Sequence, residues 1–368
     1  MEPDRILEIL KMEGLHSPKT LTLSITGICN LACAHCLVMA GESNSAANVP
    51  ESVLCRMIEE LVAIGGEGIR ITGGEPLCHP DWLELIRFAR EAGIRNILLQ
   101  TNGMLFNDET VAALRELDFP GLSIQLGIDG SSAPVHDRTR GKGSFNGLME
   151  GLGRLIQGGL GSRITFLFTE MRHNLSDIPA VLELADQLNV FSVATGTLVR
   201  GGRASAGNLI VPPVAEQYLE LLDRYDSDPR FRELYSKLGN VSAVEWCCSE
   251  AVRDEGCTFI ENPYLTPKGR LYPCLLCHTD DYSVSGVFEK GFIAALAEGA
   301  AAWATLMQIS RSRIGALPVC RECTGRDNCA GGCMGRAWGS KGNLLAEDDR
   351  CSFRKAIYNR GNQFTHRH

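Results

Sequence analysis

The pattern of apolar and polar positions predicts strands at 21–26, 68–72, 95–100, 121–128, 163–169 and 191–198. Between them the spacing predicts helices at 50–64, 80–92, 108–117, 145–157 and 175–188. Strand and helix alternate with short connections, the pattern of a parallel α/β sheet with helical crossovers. Six units rather than eight fit either a partial barrel or an open doubly wound sheet, and periodicity alone leaves both open. Residues 1–19 are polar and short, and are expected to form a helix covering one end of the sheet. Helices at 215–225 and 231–238, with a turn at Pro229, are expected to bridge to a second unit.

Chemistry-bearing residues fall where these strands end. Cys29, Cys33 and Cys36 follow the first strand, Gly73-Gly74-Glu75-Pro76 the second, and Thr101-Asn102-Gly103 the third. In parallel α/β folds the carboxyl ends of the strands carry the active site, so these motifs are expected to face one pocket. Gly73 and Gly74 would allow a ligand to approach the backbone closely. Three thiols in one loop can hold three irons of a four-iron cluster and leave the fourth open, and an open position is the mark of a site that binds a reactant.

A second cysteine field occupies the last third. Cys257 and Cys274 precede Cys320-x2-Cys323-x5-Cys329-x3-Cys333, and Cys351 follows. Cys-x2-Cys pairs also bind tetrahedral zinc, so this field alone does not choose between metals; the loop at 29–36 tips the choice to iron–sulfur. The chain of 368 residues has fifteen cysteines and no export signal, which favours metal ligation over disulfides and a cytoplasmic location. A formal charge of −8 argues against nucleic acid or an anionic membrane as partner.

The Cys29–Cys36 loop, with Gly73-Gly74-Glu75-Pro76 behind it, resembles the cluster loop of the radical S-adenosylmethionine (SAM) enzymes. The second field, with Gly269 before Cys274, resembles the SPASM extension of that family, which carries two auxiliary clusters. The resemblance implies a partial (β/α)6 TIM-like barrel over 20–204, a cap at 1–19, bridging helices at 205–256, a SPASM domain over 257–355 and a tail at 356–368. It implies three [4Fe-4S] clusters and SAM as cofactors. SAM would be held by Gly73, Gly74, Glu75, Asn102 and Arg140. One auxiliary cluster would take Cys320, Cys323, Cys329 and Cys351. The other would take Cys257, Cys274 and Cys333 with a fourth ligand from Cys247, Cys248 or Cys277, of which Cys248 is preferred. Relatives often carry Ser where this chain has Gly127, two residues before Asp129.

The implied chemistry is hydrogen abstraction by a 5′-deoxyadenosyl radical, giving a crosslink or oxidation in a peptide or protein. The same chemistry on a small molecule such as a tetrapyrrole is the alternative, and a non-catalytic metal-binding module is the alternative of another class. An electron donor such as ferredoxin or flavodoxin is implied. Only 28 residues precede Cys29, so the N-terminal recognition domain of many peptide-modifying relatives is expected to be absent. A separate peptide-recognition protein or a small substrate would then be needed. In the sulfatase-maturing subgroup an Asp follows the last cysteine of the first SPASM segment. Here Leu275 follows Cys274 and cannot act as a base, so formylglycine formation is not expected.

Overall fold

A computed structural model describes residues 2–41, 48–205, 210–248, 257 and 259–365. The six expected strands form at Thr20–Ser24 (β1), Gly68–Thr72 (β2), Asn96–Thr101 (β3), Leu122–Gly127 (β4), Ile164–Glu170 (β5) and Ser192–Thr197 (β6). All pair in parallel, in the sequential order 1 to 6. A doubly wound sheet reverses its strand order at a switch point. Sequential order with crossovers of one hand keeps the helices on a single side, which is the barrel solution. Three short strands extend the edges: Gly239–Asn240 (β7) beside β6, and Tyr264–Leu265 (β8) beside β1 with Leu271–Tyr272 (β9) antiparallel to it.

The two faces of the sheet differ in chemistry. Leu21, Leu23, Ile69, Ile71, Ile97, Leu99, Ile124 and Leu126 share one face and are buried in the core. Thr22, Ser24, Arg70, Thr72, Gln100 and Gln125 share the other. A parallel sheet covered on both sides reads as continuous apolar runs, so this alternation marks an inner face lined by polar side chains.

The expected cap is the helix Pro3–Met12, which buries Ile6 and Leu10 against the helix Phe292–Ala316. That second helix went unassigned from sequence because it is apolar on nearly every side, as a core helix is. Its length and composition would suffice to cross a membrane, yet half of its apolar window is buried inside the fold. The bridging helices are Ala215–Ser227 and Pro229–Leu238, with Pro229 opening the second one. Asp228 caps it through backbone N–H groups of Arg230 and Phe231. The expected boundary at 256/257 adjoins residues outside the described set. The proposed tail at 356–368 does not begin at a break, because one helix, Cys351–Thr365, runs through that point. It packs on Ala215–Ser227, and Tyr358 lies over Gly325.

Candidate active site

The loop after β1 brings Cys29, Cys33 and Cys36 to a cavity of about 200 Å³, which Glu75, Asn102, Gly127 and Arg140 also line. Thr72, Gln100 and Gln125 from the polar sheet face form its floor. Backbone N–H groups of Leu31 and Ala40 lie 3.4 Å from the sulfurs of Cys29 and Cys36. Burial pushes the Cys29 thiol up to about 12.

Glu75 is the carboxylate that ties this loop to its neighbours. It is 1% exposed. It accepts hydrogen bonds from the Thr101 hydroxyl (2.6 Å), the Asn102 N–H (2.8 Å) and the Leu77 N–H (3.1 Å). Asn102 in turn donates to Asn30 in the cysteine loop at 2.7 Å. Burial raises the Glu75 pKa, and the three hydrogen bonds work against that rise.

Gly73 and Gly74 line the cavities at the barrel mouth, and they also approach the protein's own backbone closely. A Cβ on Gly73 would lie 2.5 Å from the Thr26 carbonyl, and one on Gly74 2.6 Å from the Ile28 carbonyl carbon. The backbone they approach is that of the cysteine loop. Gly74 N–H donates to Thr26 O (2.7 Å) and Glu75 N–H to Ile28 O (2.8 Å), so the pair of glycines fixes that loop against β2.

Arg140 closes the cavity from a helix, Ala133–Arg140, in a stretch for which the apolar pattern predicts no element. Its Nε donates to Asp129 at 2.6 Å. Burial opposes its charge, but Asp129 and the Cys33 and Cys29 sulfurs outweigh burial, so its pKa is raised. Asp129 is fully buried and also accepts from the Thr169 N–H at 3.0 Å. Burial alone would raise Asp129, but Arg140, His35 and His136 hold it at about 2. The guanidinium lies directly over Gly127, where a Cβ would come within 2.6 Å of Nη1 and 2.8 Å of Cζ. The departure from serine at this position therefore makes room for Arg140.

Arg203 was missed from sequence, where 201–204 read only as the end of the barrel. It donates to the carbonyls of Cys33 and Ala40, both at 2.9 Å, and its N–H donates to Cys36 O at 3.0 Å. No local signal distinguishes it, because its partners lie more than 160 residues away.

Two further thiol groups assemble beyond the barrel. Cys320, Cys323, Cys329 and Cys351 line one small cavity with Arg354, whose Nη1 sits 3.5 Å from the Cys329 sulfur. In the other group, burial raises Cys274 far above the usual thiol range, and Cys333, Cys257 and Cys277 raise it further. Cys277 is buried at about 12 under burial and the influence of Cys333 and Cys257. The preferred fourth partner, Cys248, is placed elsewhere. It is exposed at the end of the helix Ser242–Cys248, with its thiol beside Cys247 and near Asp226 and Glu245. The antiparallel β8–β9 pair delivers Cys274 and Cys277 together, whereas the 242–248 helix packs on Cys351–Thr365. Three thiols at the barrel mouth match a four-iron cluster with an open iron.

The Radical SAM superfamily model matches residues 23–185. The AdoMet-dependent heme synthase of Methanosarcina barkeri is 27% identical over 92% of this chain and 97% of its own length. The mycofactocin maturase MftC of Mycobacterium ulcerans is 28% identical over 92% of this chain and 89% of its own. Among solved structures, Streptococcus suis SuiB bound to S-adenosylmethionine superposes with a TM-score of 0.69 at 14% identity, covering 95% of this chain and 80% of that one. Native anSMEcpe with bound AdoMet gives 0.69 at 16%, covering 95% of this chain and 100% of that one. At these identities the two structures speak for the fold. Thiol loop, mouth cavity, sequential sheet and matching relatives converge: residues 23–185 form a radical SAM domain, and a cysteine-rich C-terminal region follows it in a chain similar to radical SAM enzymes over most of its length.

Proposed function

We propose that the enzyme modifies a peptide or protein substrate, forming a crosslink or an oxidation, and that it carries three four-iron clusters. The observation that carries this reading is one three-thiol loop opening on a cavity with Glu75, Asn102 and Arg140, backed by two four-thiol groups. Cys29, Cys33 and Cys36 would hold the first cluster. Cys320, Cys323, Cys329 and Cys351 would hold one auxiliary cluster, and Cys257, Cys274, Cys277 and Cys333 the other. When bound, the reduced first cluster supplies the electron that cleaves SAM to the hydrogen-abstracting 5′-deoxyadenosyl radical. The chain's own part is to position SAM. Arg140 would pair with its carboxylate, Glu75 orients the backbone around Asn102, and the glycine pair holds the cysteine loop in place.

The MftC relative favours a peptide. The heme synthase, matched over 97% of its length, supports tetrapyrrole modification as the second reading. The deciding experiment incubates the reduced, reconstituted enzyme and SAM with short peptides encoded beside its gene and, separately, with iron-coproporphyrin. Mass spectrometry of both pools follows. A changed porphyrin with unchanged peptides overturns the peptide reading. Ferredoxin or flavodoxin would supply the electron, and a separate recognition protein could present the peptide.

Cys277→Ser should lower iron by about a third and remove one cluster signal in Mössbauer spectra, while Cys248→Ser should leave both at parental values. The opposite outcome would return the fourth ligand to the 242–248 helix. A sulfatase-motif peptide should emerge unchanged from incubation with reduced enzyme and SAM, because Leu275 offers no base beside Cys274. Loss of two hydrogens from that peptide would defeat the argument from Leu275.

A further inference from the structure

A second cavity, of about 270 Å³, adjoins the SAM cavity and shares Gly74 and Ala40 with it. Its outer wall is the β8–β9 hairpin. Tyr264 and Tyr272 stand directly opposite each other on that antiparallel pair, with ring centroids 6.5 Å apart and planes within 18°. His278 lies parallel to both, at 5.3 Å and 4.8 Å. The imidazole stacks on both tyrosines, and with Tyr264 1% exposed the cavity meets this aromatic cluster at Tyr272 and His278. The His278 Nε2 is buried and has no hydrogen-bond partner. At the hairpin turn Arg270 is neutralised by Asp280 at 3.1 Å, while Lys268 is exposed and forms no ion pair among the described residues. The cavity therefore offers an aromatic surface, one unsatisfied polar atom and one unneutralised cation, all next to the reactive site.

We propose that this cavity is a substrate-anchoring subsite that takes an aromatic side chain flanked by an acidic residue. The proposal rests on the peptide reading and sharpens it. At about 270 Å³ the cavity has room for a single aromatic side chain. Ring packing against Tyr272 and His278 supplies the preference for an aromatic group, Nε2 pairs with a polar atom on it, and Lys268 pairs with the flanking carboxylate. Anchored there, the neighbouring residues of the peptide reach the mouth cavity where Arg140 and Asn102 lie.

The test is photolabelling of the reconstituted full-length enzyme with SAM. The probe is a hexapeptide carrying p-benzoylphenylalanine beside a glutamate. Adducts are expected on residues 264–278, and the peptide with tyrosine in place of the photoprobe should compete about five-fold better than the one with leucine. Lys268→Glu should cut labelling about three-fold, and exchanging the probe's glutamate for lysine should restore it, an outcome that misfolding cannot produce. Tyr272→Leu, checked by its cluster absorbance, should abolish the preference for tyrosine over leucine. Labelling outside the hairpin, with equal competition by both peptides, overturns the subsite and leaves the peptide reading intact. No specific labelling anywhere overturns both.

Discussion

Replacing Cys29, Cys33 and Cys36 together by alanine should remove about a third of the iron bound after anaerobic reconstitution and abolish SAM cleavage. The parent should bind about twelve irons per chain. The three thiols line the mouth cavity, while the other eight proposed ligands lie in two separate groups. Loss of the loop thiols therefore leaves the remaining clusters without a missing donor. Iron analysis, electron paramagnetic resonance of the reduced protein and 5′-deoxyadenosine release measure the three consequences independently. A variant that keeps its full iron but loses cleavage would show that the loop shapes the site without ligating the cluster. Zinc in place of iron in the parent would overturn the count.

Changes at Arg140 and Gly127 should weaken SAM binding with the cluster spectrum unchanged. A hydrogen bond to a charged group contributes roughly 1.5–3 kcal/mol, so Arg140→Lys should raise the SAM Kd about 10- to 100-fold. Lysine keeps the charge but loses the planar fork. Gly127→Ser should act in the same direction without touching the arginine itself. The guanidinium is pinned at Nε by Asp129 and lies flat over Gly127, so a new side chain must displace its two terminal nitrogens. Its Nε anchor on the fully buried Asp129 limits how far it can shift. An unchanged Kd in Gly127→Ser would mean that the guanidinium swings freely, and an unchanged Kd in Arg140→Lys would remove it from the SAM site.

Much of this architecture is written locally in the chain. Strand and helix periods, each spanning a handful of residues, placed all six barrel strands and the motifs at their ends. Close spacing also marked the Cys29–Cys36 loop and the run from Cys320 to Cys333, since residues a few positions apart in a loop must be neighbours in space. What the sequence left open depends on long-range pairing. Partial barrel or doubly wound sheet is a matter of strand order, which periodicity does not encode; the sequential order decides it. Spacing left Cys247, Cys248 and Cys277 open as fourth partner with Cys248 preferred, and only the packing of distant segments places Cys277 beside Cys257 and Cys333 while Cys248 lies near Asp226 and Glu245. Arg140 was legible as a residue but not as the end of a helix, because 133–140 is mostly polar and has no apolar stripe. Gly127 and Arg203 acquire meaning only from partners on other elements, the guanidinium above one and the cysteine loop beneath the other. Local periodicity thus determined the elements and their chemistry, while register and packing across distant segments decided which side chains meet.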